Sequence, residues 1–425
     1  MQEYLSVGIL GFGTVGSGVF DIIQNHQEKM SQVLGKNVRV TKVLVRELEP
    51  YQEIINSCDT FFTTDINDLL TPDMDIIVEV IGGTTVAYEY VKRALQANKH
   101  VVTANKDLIA LYGTELFDLA KTQGVDFYYE ASVGGGIPIL RALTISMASD
   151  EVTEIVGILN GTTNYMLTQM IQNGLSYDEA LKQAQALGFA EADPTSDVDG
   201  LDAARKVVIL TRLGFGMAIQ LNDMDISGIR HLNKHDMAFA DNQGYVIKLL
   251  GMTKCENGQV YAQVGASFVK KEHPLSTVHQ ENNAVYVTGK ALGETMFYGA
   301  GAGKLPTANS VVSDIMAIGV NILSGKTGRP FSTYQQPTAF LSTDKVFFDY
   351  YYRIYLQQGF DDSAMIEQVF AKHGVNVSKV EILKEENHVT MFVMTELEKV
   401  ATHKVVIDAL QKEQSVVDVV SLTIF

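Results

Sequence analysis

The chain has 425 residues, more than one hydrophobic core usually supports, so two or three domains are expected. Hydrophobic residues make up 46% of the chain and charged residues 20%, a balance typical of folded globular proteins. The net charge of -17 argues against a nucleic-acid or membrane-surface partner, because both require a basic face.

The sequence shows neither a disulfide framework nor a targeting segment. Its two cysteines, Cys58 and Cys255, are too few for such a framework and have no spacing suited to a zinc site. No signal peptide precedes the first predicted strand, and no run approaches the roughly 18 apolar residues of a membrane span. A reducing cytoplasm is therefore the expected location.

Residues 1–136 alternate short apolar runs with segments of helical period. The predicted strands include "VRVTKVLV", "MDIIVEV" and "HVVT", and the predicted helices include "VAYEYVKRALQANK" and "GTELFDLAKTQG". Strands that alternate with helices indicate an α/β fold with a doubly wound parallel sheet. A later glycine-rich turn and helix, residues 301–325, is expected to complete this nucleotide-binding domain.

The remaining residues predict two further domains. In residues 137–300, helices precede an antiparallel sheet, and Ser176 and Glu179 have the spacing of a helix capping box. We expect this α+β segment to bind substrate and to mediate dimerisation. Residues 345–425 predict the order strand–helix–strand–strand–helix–strand, which is an independent ferredoxin-like module.

A glycine loop follows the first predicted strand and opens a helix. Gly11, Gly13 and Gly16 fit the spacing G-x-G-x-x-G, which favours a Rossmann-type dinucleotide site. The first glycine permits the turn, the second admits a pyrophosphate, and the third allows close helix–strand packing. The start of the helix supplies amide donors and the positive end of its dipole.

The end of the second strand bears on the choice of nucleotide. An acid there usually contacts the ribose hydroxyls of NAD, whereas an arginine accommodates the 2′-phosphate of NADP. The sequence offers Arg46 followed by Glu47, so NADP is favoured and use of NAD stays open. The alternative is an arginine that forms a surface salt bridge.

Two lysines are candidates for chemistry. Lys106 follows a predicted strand, at the sheet edge where ligands bind in doubly wound folds, although a solvated surface lysine is the alternative. Asp202 and Lys206 are four residues apart and share one helix face, where a surface ion pair is the simpler explanation. The apolar "VVIL" that follows indicates a buried helix, and a lysine held beside carboxylates there suits a general acid.

The acidic residues before Lys206 divide into two groups. Glu191 and Asp202 are candidates for binding an ammonium group. Asp193, Asp197 and Asp199 lie near the predicted helix start, so they are assigned to capping or to solvent.

Six stretches resemble the homoserine dehydrogenase family, in its monofunctional form with a C-terminal regulatory domain. They occur in order between residue 5 and about residue 325: "GFGTVGSGV", "TANKDLIA", "EASVGGGIPI", "GILNGTTNYML", "GFAEADPTSDVDGLDAARK" and "GAGAGKLPTANSVVSD". The fifth stretch is far more specific to this family than the glycine loop. The resemblance implies NAD(P)-dependent interconversion of L-homoserine and L-aspartate 4-semialdehyde, in threonine, methionine and isoleucine biosynthesis.

The resemblance also implies roles for individual residues. Lys206 is similar to the general acid-base residue, and Lys106 to a second lysine that touches substrate and nicotinamide. Glu191 and Asp202 resemble substrate ligands, with Thr162 at the pocket wall. Besides the loop glycines, the positions that resemble cofactor contacts are Phe12, Thr14, Val15, Arg46, Lys106 and Gly303.

Members of this family carry a monovalent cation, typically sodium. The resemblance implies that the Glu130 carboxylate binds it together with the main-chain carbonyls of Val133, Gly135 and Ile137. Oxygen ligands with a single charge suit a hard, weakly held cation. The alternative is an ordinary glycine hinge.

The C-terminal module resembles the ACT regulatory fold, which often binds an amino-acid effector at a paired interface. The usual aspartate followed by Pro-Gly is absent, since "LQQGFDDSA" contains Gly359 and no proline. Family members are generally homodimers or homotetramers. Two other functions stay open, a non-catalytic nucleotide and amino-acid sensor and a dehydrogenase of a different amino-acid aldehyde.

Overall fold

The computed structural model describes residues 3–332, 334–357, 363–384 and 388–425. Within them the strands are, in chain order, β1 (Tyr4–Leu10), β2 (Asn37–Leu44), β3 (Phe61–Thr63), β4 (Ile76–Glu79), β5 (His100–Thr103), β6 (Phe127–Tyr128), β7 (Val152–Ile158), β8 (Asp225–Ile226), β9 (Tyr245–Glu256), β10 (Gln259–Lys270), β11 (Asn282–Gly289), β12 (Gly293–Ala300), β13 (Phe347–Gln357), β14 (Asn376–Lys384), β15 (His388–Lys399) and β16 (Val416–Ile424).

The helices of the same residues also follow in chain order. They are α1 (Thr14–Asn25), α2 (Gln27–Leu34), α3 (Gln52–Ile55), α4 (Thr85–Gln96), α5 (Lys106–Gln123), α6 (Ile139–Arg141), α7 (Gly161–Asn173), α8 (Tyr177–Ala186), α9 (Thr195–Val198), α10 (Leu201–Phe215), α11 (Lys234–Asn242), α12 (Lys304–Ser324), α13 (Ser363–Lys372) and α14 (Val400–Lys412). None of these helices combines the length and the apolar character that a membrane crossing requires.

The described chain divides into two compact units. The first contains Met1–Val152, Val208–Leu221 and Asn283–Pro337. Its sheet has the strand order β3-β2-β1-β4-β5-β6, and all five pairings are parallel. Every residue of β4 is buried, as expected for a strand covered on both faces. The predicted doubly wound parallel sheet is confirmed.

The core of the first unit fixes the helix that carries the glycine loop. Val19 and Ile23 of α1 are fully buried in one cluster with strand residues and with Ala308 and Ile315 of α12. Burying each large aliphatic side chain contributes about 1.5–3 kcal/mol. The α1–α12 pair thus holds the start of α1 against the sheet edge.

The second unit contains Thr153–Val207, Asn222–Asn282 and Thr338–Phe425. Its strands lie in the order β7-β9-β10-β16-β13-β15-β14, and β8 pairs with β10. β9 and β10 form a long antiparallel hairpin, as the sequence predicted. The capping box is also confirmed, because the Ser176 side chain accepts from the Glu179 amide while the Glu179 carboxylate accepts from Ser176.

The C-terminal module has the predicted βαββαβ order. Its four strands pair antiparallel in the order β16-β13-β15-β14, which is the ferredoxin-like arrangement. β16 also pairs in parallel with β10 through Ser267–Thr423 and Phe268–Ile424, so the module shares one sheet with the rest of the second unit. The stretch around Gly359, where the Pro-Gly pair is absent, lies outside the described residues. The division into domains 1–136, 137–300 and 345–425 stays a prediction.

Candidate active site

The glycine loop joins β1 to α1 in the first unit. Gly11 has φ +96°, a conformation that L side chains rarely adopt, and a Cβ on Gly16 would lie 2.1 Å from the Gly11 carbonyl oxygen. Space is open above Gly13, where an added Cβ would meet no atom within 4 Å. Gly13 caps α1 without a side-chain hydrogen bond, so the first amides of the helix can face an anion.

The other predicted cofactor contacts surround this loop or lie in the same unit. The Phe12 ring is buried against Phe20 and Phe62, so it anchors the loop in the core. Thr14 is exposed at the first turn of α1, and Val15 is half-buried. Gly303 has φ +114° and precedes the first residue of α12.

A cleft of about 830 Å³ opens beside the loop. Gly11, Phe12 and Gly13 line it together with Arg46, Glu47 and residues 80–86. Arg46 is exposed, and among the described residues no carboxylate lies within 4.0 Å of its guanidinium group. The guanidinium group is therefore accessible from the cleft, and the choice between a ligand contact and a surface salt bridge stays a prediction.

Lys106 is the first residue of α5, directly after the end of β5 and the capping residue Asn105. The Asn105 side chain accepts a hydrogen bond from the Leu108 amide at 3.1 Å, which fixes the start of the helix. The Lys106 side chain is 29% exposed, and its Nζ lies 3.9 Å from an oxygen of Asp107. Lys106 therefore stands at the carboxyl edge of the sheet, where the sequence predicted it.

Lys206 is buried in the second unit. Its Nζ donates to Asp202 Oδ2 at 2.7 Å and to the Leu159 carbonyl at 2.6 Å. The Lys206 and Asp202 side chains are 11% and 9% exposed, so the surface ion pair considered from the sequence is wrong. An ammonium group bonded to both a carboxylate and a carbonyl is held in one place.

Two further residues complete the hydrogen-bonded cluster. The Asn160 amide donates to Asp202 at 2.9 Å and to Asp197 at 2.7 Å, while its oxygen caps α7 by accepting from the Thr163 amide. The assignment of Asp197 to capping or solvent is therefore wrong. Burial raises the pKa of the Asp197 carboxyl group, and the nearby Asp202 raises it further.

Thr162 and Glu191 lie at different depths. The buried Thr162 hydroxyl donates to the Phe189 carbonyl at 2.6 Å and so holds the segment that leads to Glu191. Glu191 is exposed, and its backbone carbonyl accepts from Gln185 at 3.1 Å. In the described chain the cluster around Lys206 thus contains Asp202 and Asp197, whereas Glu191 stands outside its hydrogen bonds.

Glu130 is buried in the first unit at 1% exposure. Its two carboxylate oxygens accept from the amides of Leu140 and Arg141, each at 2.8 Å, and the Arg141 Nε lies 3.7 Å away. Arg141 also pairs with Asp314, which is fully buried and accepts from the Glu130 amide at 2.8 Å. Burial raises the pKa of Asp314 to about 8.

The glycine turn after Glu130 presents main-chain oxygens. The Gly135 carbonyl accepts from the Ser310 hydroxyl at 2.7 Å, and the Ile137 carbonyl accepts from the Ile139 amide at 2.8 Å. Each carbonyl oxygen has two lone pairs, so each keeps acceptor capacity. Val133 is fully buried beside this turn.

Sequence reasoning missed Asn160, Asp197, Arg141 and Asp314. Asn160 begins the "NGTTN" run directly before a helix, which is a capping signal that fixes its position. Asp314 is an acid inside the otherwise apolar "SVVSDIMAIGV", a pattern that indicates a buried carboxylate with a partner. Neither signal says which distant residue the side chain meets.

Two family models match the chain. One, described as homoserine dehydrogenase, matches residues 138–316, and the other, described as the NAD binding domain of homoserine dehydrogenase, matches residues 11–130. The chain is 47% identical over 388 residues to the homoserine dehydrogenase of Bacillus subtilis strain 168, covering 91% of this chain and 89% of that protein.

Solved structures agree with these matches. The crystal structure of a homoserine dehydrogenase from Thiobacillus denitrificans matches with a TM-score of 0.93 at 33% identity, covering 99% of this chain and 98% of that one. A hyperthermophilic archaeal homoserine dehydrogenase in complex with NADPH matches with a TM-score of 0.64 at 26% identity, covering 77% of this chain and 100% of that one. The chain therefore belongs to the homoserine dehydrogenase family, and it is an oxidoreductase that interconverts L-homoserine and L-aspartate 4-semialdehyde with a nicotinamide cofactor.

Proposed function

We propose that Lys206 is the general acid-base residue of this enzyme. The observation that carries the proposal is the buried Nζ, fixed by Asp202 and the Leu159 carbonyl. An ammonium group has three N–H donors, and within the described chain these bonds occupy two of them. The third is then available to the substrate oxygen, to which it donates a proton in the reductive direction.

Lys106 is the second cation of the proposed mechanism. The nicotinamide, when bound, supplies the hydride that reduces the aldehyde carbon. Negative charge then grows on the carbonyl oxygen, and a lysine aimed at that oxygen stabilises it. The position of Lys106 at the start of α5, on the ligand-binding edge of the sheet, supports this role.

The acidic residues around Lys206 are proposed to bind the polar groups of the substrate. Asp202 and Glu191 take its ammonium and hydroxyl ends, and Thr162 forms part of the pocket wall. Asp197 is added to this set, because Asn160 joins it to Asp202 by hydrogen bonds of 2.7 and 2.9 Å. Fixing both ends of a small substrate converts an encounter into an aligned reactant.

NADP is the proposed cofactor, with NAD as a weaker alternative. The exposed Arg46 lines the same cleft as the glycine loop and has no carboxylate partner among the described residues. A guanidinium group without a partner suits a 2′-phosphate through charge-assisted hydrogen bonds. The related archaeal enzyme that was solved with NADPH gives independent support.

A monovalent cation, sodium in the first instance, is proposed at Glu130 and the carbonyls of Val133, Gly135 and Ile137. The chemistry of the described oxygens fits such an ion. Glu130 brings one buried carboxylate, and the carbonyls of Gly135 and Ile137 keep acceptor capacity beside their single hydrogen bonds. A donor set made of oxygens with one charge suits a hard monovalent cation. Its proposed role is to hold the glycine turn.

Three further properties are proposed. The enzyme is a homodimer or homotetramer. The exposed Met296 and Tyr298 on β12 support this proposal, and light scattering tests it.

The ferredoxin-like module receives an amino-acid effector. Inhibition of turnover by added threonine tests this proposal. The location is the cytoplasm, in keeping with the two free cysteines.

The reaction and the role of Lys206 can be tested together. Purified protein is mixed with L-homoserine and NADP, and the near-ultraviolet absorbance of reduced nicotinamide is followed. We expect Lys206→Ala to abolish turnover, a fall of at least about 10²–10⁴-fold, while NADPH still binds by fluorescence titration. The control is Arg205→Ala, which removes an adjacent, more exposed cation. Near-normal turnover of Lys206→Ala would remove the assignment.

A further inference from the structure

Three side chains at the carboxyl edge of the parallel sheet form a closed set of hydrogen bonds that the mechanism above does not use. They are Glu79 at the end of β4, Thr103 at the end of β5, and Asn105 before α5. We call them the edge ring. All three are buried, with Glu79 and Thr103 at 0% exposure.

The Glu79 carboxylate holds the loop after its own strand. One oxygen accepts from the amides of Ile81 and Gly82 at 2.9 and 3.3 Å. The other oxygen accepts from the Thr103 hydroxyl at 2.5 Å and so reaches the neighbouring strand. One buried carboxylate therefore ties two strand ends together.

Asn105 closes the ring on the other side. Its amide N–H donates to the Thr103 hydroxyl oxygen at 3.0 Å, and its side-chain amide donates to the Gly83 carbonyl at 2.6 Å. Its side-chain oxygen caps α5 at the same time. The Gly82–Gly83 turn and the start of α5 are thus fixed to each other.

Both ends of the ring carry groups that matter for the reaction. Gly82 and Gly83 line the cofactor cleft, and Lys106 follows Asn105 directly. We propose that Glu79, Thr103 and Asn105 are positioning residues, which hold Lys106 in register with the Gly82–Gly83 wall of the cleft and so set the turnover rate. This inference rests on the proposed role of Lys106.

The energetics favour a positioning role over a purely structural one. A carboxylate at 0% exposure in the otherwise apolar strand "IIVE" loses its hydration, and a well-packed apolar side chain is often at least as stabilising at such a place. The ring offsets that cost with fixed geometry, because the Thr103–Glu79 and Asn105–Gly83 hydrogen bonds join one loop to the other. A misplacement of about 1 Å at a reacting group can cost about 10²-fold in rate.

Two variants test the ring without removing its buried carboxylate. Thr103→Val keeps the shape of the side chain and removes the hydroxyl bridge. Asn105→Asp keeps the oxygen that caps α5 and removes the donor to Gly83. We expect each variant to lower kcat about 10–100-fold with a smaller change in the KM for L-homoserine. Thr103→Ser keeps the hydroxyl group, so its kcat should stay near that of the wild type.

Thr60→Val is the matched control, because it removes another buried hydroxyl of the same unit, which donates to the Val40 carbonyl at 2.9 Å away from the cleft residues. Unchanged kcat in both ring variants, or an equal loss in Thr60→Val, overturns the inference.

A further variant, Lys106→Ala, separates the positioning role of the ring from the proposed role of Lys106. If that variant loses turnover while the ring variants do not, only the positioning role fails. If it turns over normally, the role of Lys106 fails first.

Discussion

Lys206 and Asp202 form an ion pair across one turn of α10, with 2.7 Å between Nζ and Oδ2 and about nine-tenths of each side chain buried. A pair of this kind differs from a surface ion pair, because neither charge can return to water when its partner is lost. The same contact therefore bears on the stability of the second unit and on the proposed chemistry.

Asp202→Asn should lower both the free energy of unfolding and kcat/KM. Removing one partner leaves the Lys206 charge buried without its counter-charge, at a cost of about 3–5 kcal/mol. Urea unfolding and steady-state kinetics measure the two effects. The control is Asp241→Asn, which breaks the exposed pair with Lys271 and should cost less than about 1 kcal/mol. Equal losses in both variants would contradict the buried-pair interpretation.

Arg46→Ala should weaken NADPH binding and leave NADH binding unchanged. A charge-assisted hydrogen bond to the 2′-phosphate is worth about 1.5–3 kcal/mol, so the Kd for NADPH should rise about 10–100-fold. Arg39→Ala is the control, because this arginine of β2 stacks on Tyr4 with 5.0 Å between its guanidinium carbon and the ring centre. An equal effect of Arg46→Ala on both cofactors would remove the proposed preference.

Sodium should raise the thermal midpoint of the wild-type enzyme when it replaces tetramethylammonium at constant ionic strength. A ligand at about 100 times its Kd stabilises the folded state by about 2.7 kcal/mol. Glu130→Gln should abolish the difference between the two salts. Glu398→Gln, at a buried glutamate of the second unit, should keep it. If the wild-type enzyme has the same thermal midpoint in the sodium and the tetramethylammonium salt, the sodium site is contradicted.

Lys248 should make the stability of the enzyme rise between pH 8 and pH 10.5. Burial lowers the pKa of Lys248 to about 8, and among the described residues its Nζ is bonded to two neutral oxygens, those of Asn164 at 3.1 Å and of the Val278 carbonyl. Between these pH values the unfolded chain binds more protons than the folded one, so the free energy of unfolding increases with pH, by about 3 kcal/mol from this group.

Urea unfolding across that pH range measures the effect of Lys248. Lys248→Met should remove this part of the slope, whereas Lys271→Met, at an exposed lysine, should leave the slope as in the wild type. The difference between the two variants separates the contribution of Lys248 from that of the tyrosines and other lysines, which titrate in the same pH range. A slope shared by all three proteins would show that Lys248 keeps an ordinary pKa.

Local patterns predicted most of the elements. Apolar runs between helical segments gave the parallel sheet, and the spacing of Ser176 and Glu179 gave the capping box of α8. The apolar "VVIL" after Lys206 correctly indicated a buried lysine, because a helix buries the residues that share its apolar face.

Long-range partners could not be predicted in this way. Asp197 looked like a capping acid, because nothing in its neighbourhood indicates that Asn160, 37 residues earlier, would donate to it. The pairing of β16 with β10 was missed for the same reason, since period 2 marks a strand but not its neighbour. Glu191 shows a second limit of sequence reasoning. The family motif identified this residue, but it did not indicate that its side chain is exposed.

The position of β16 bears on how the second unit is made. Among the described strands of its sheet, β16 is synthesised after all the others, yet it lies between β10 and β13. Until it emerges, the nascent chain carries two unsatisfied strand edges that can recruit foreign strands. Chaperone demand should therefore peak late in translation, and a premature stop shortly before Val416 should yield an insoluble product.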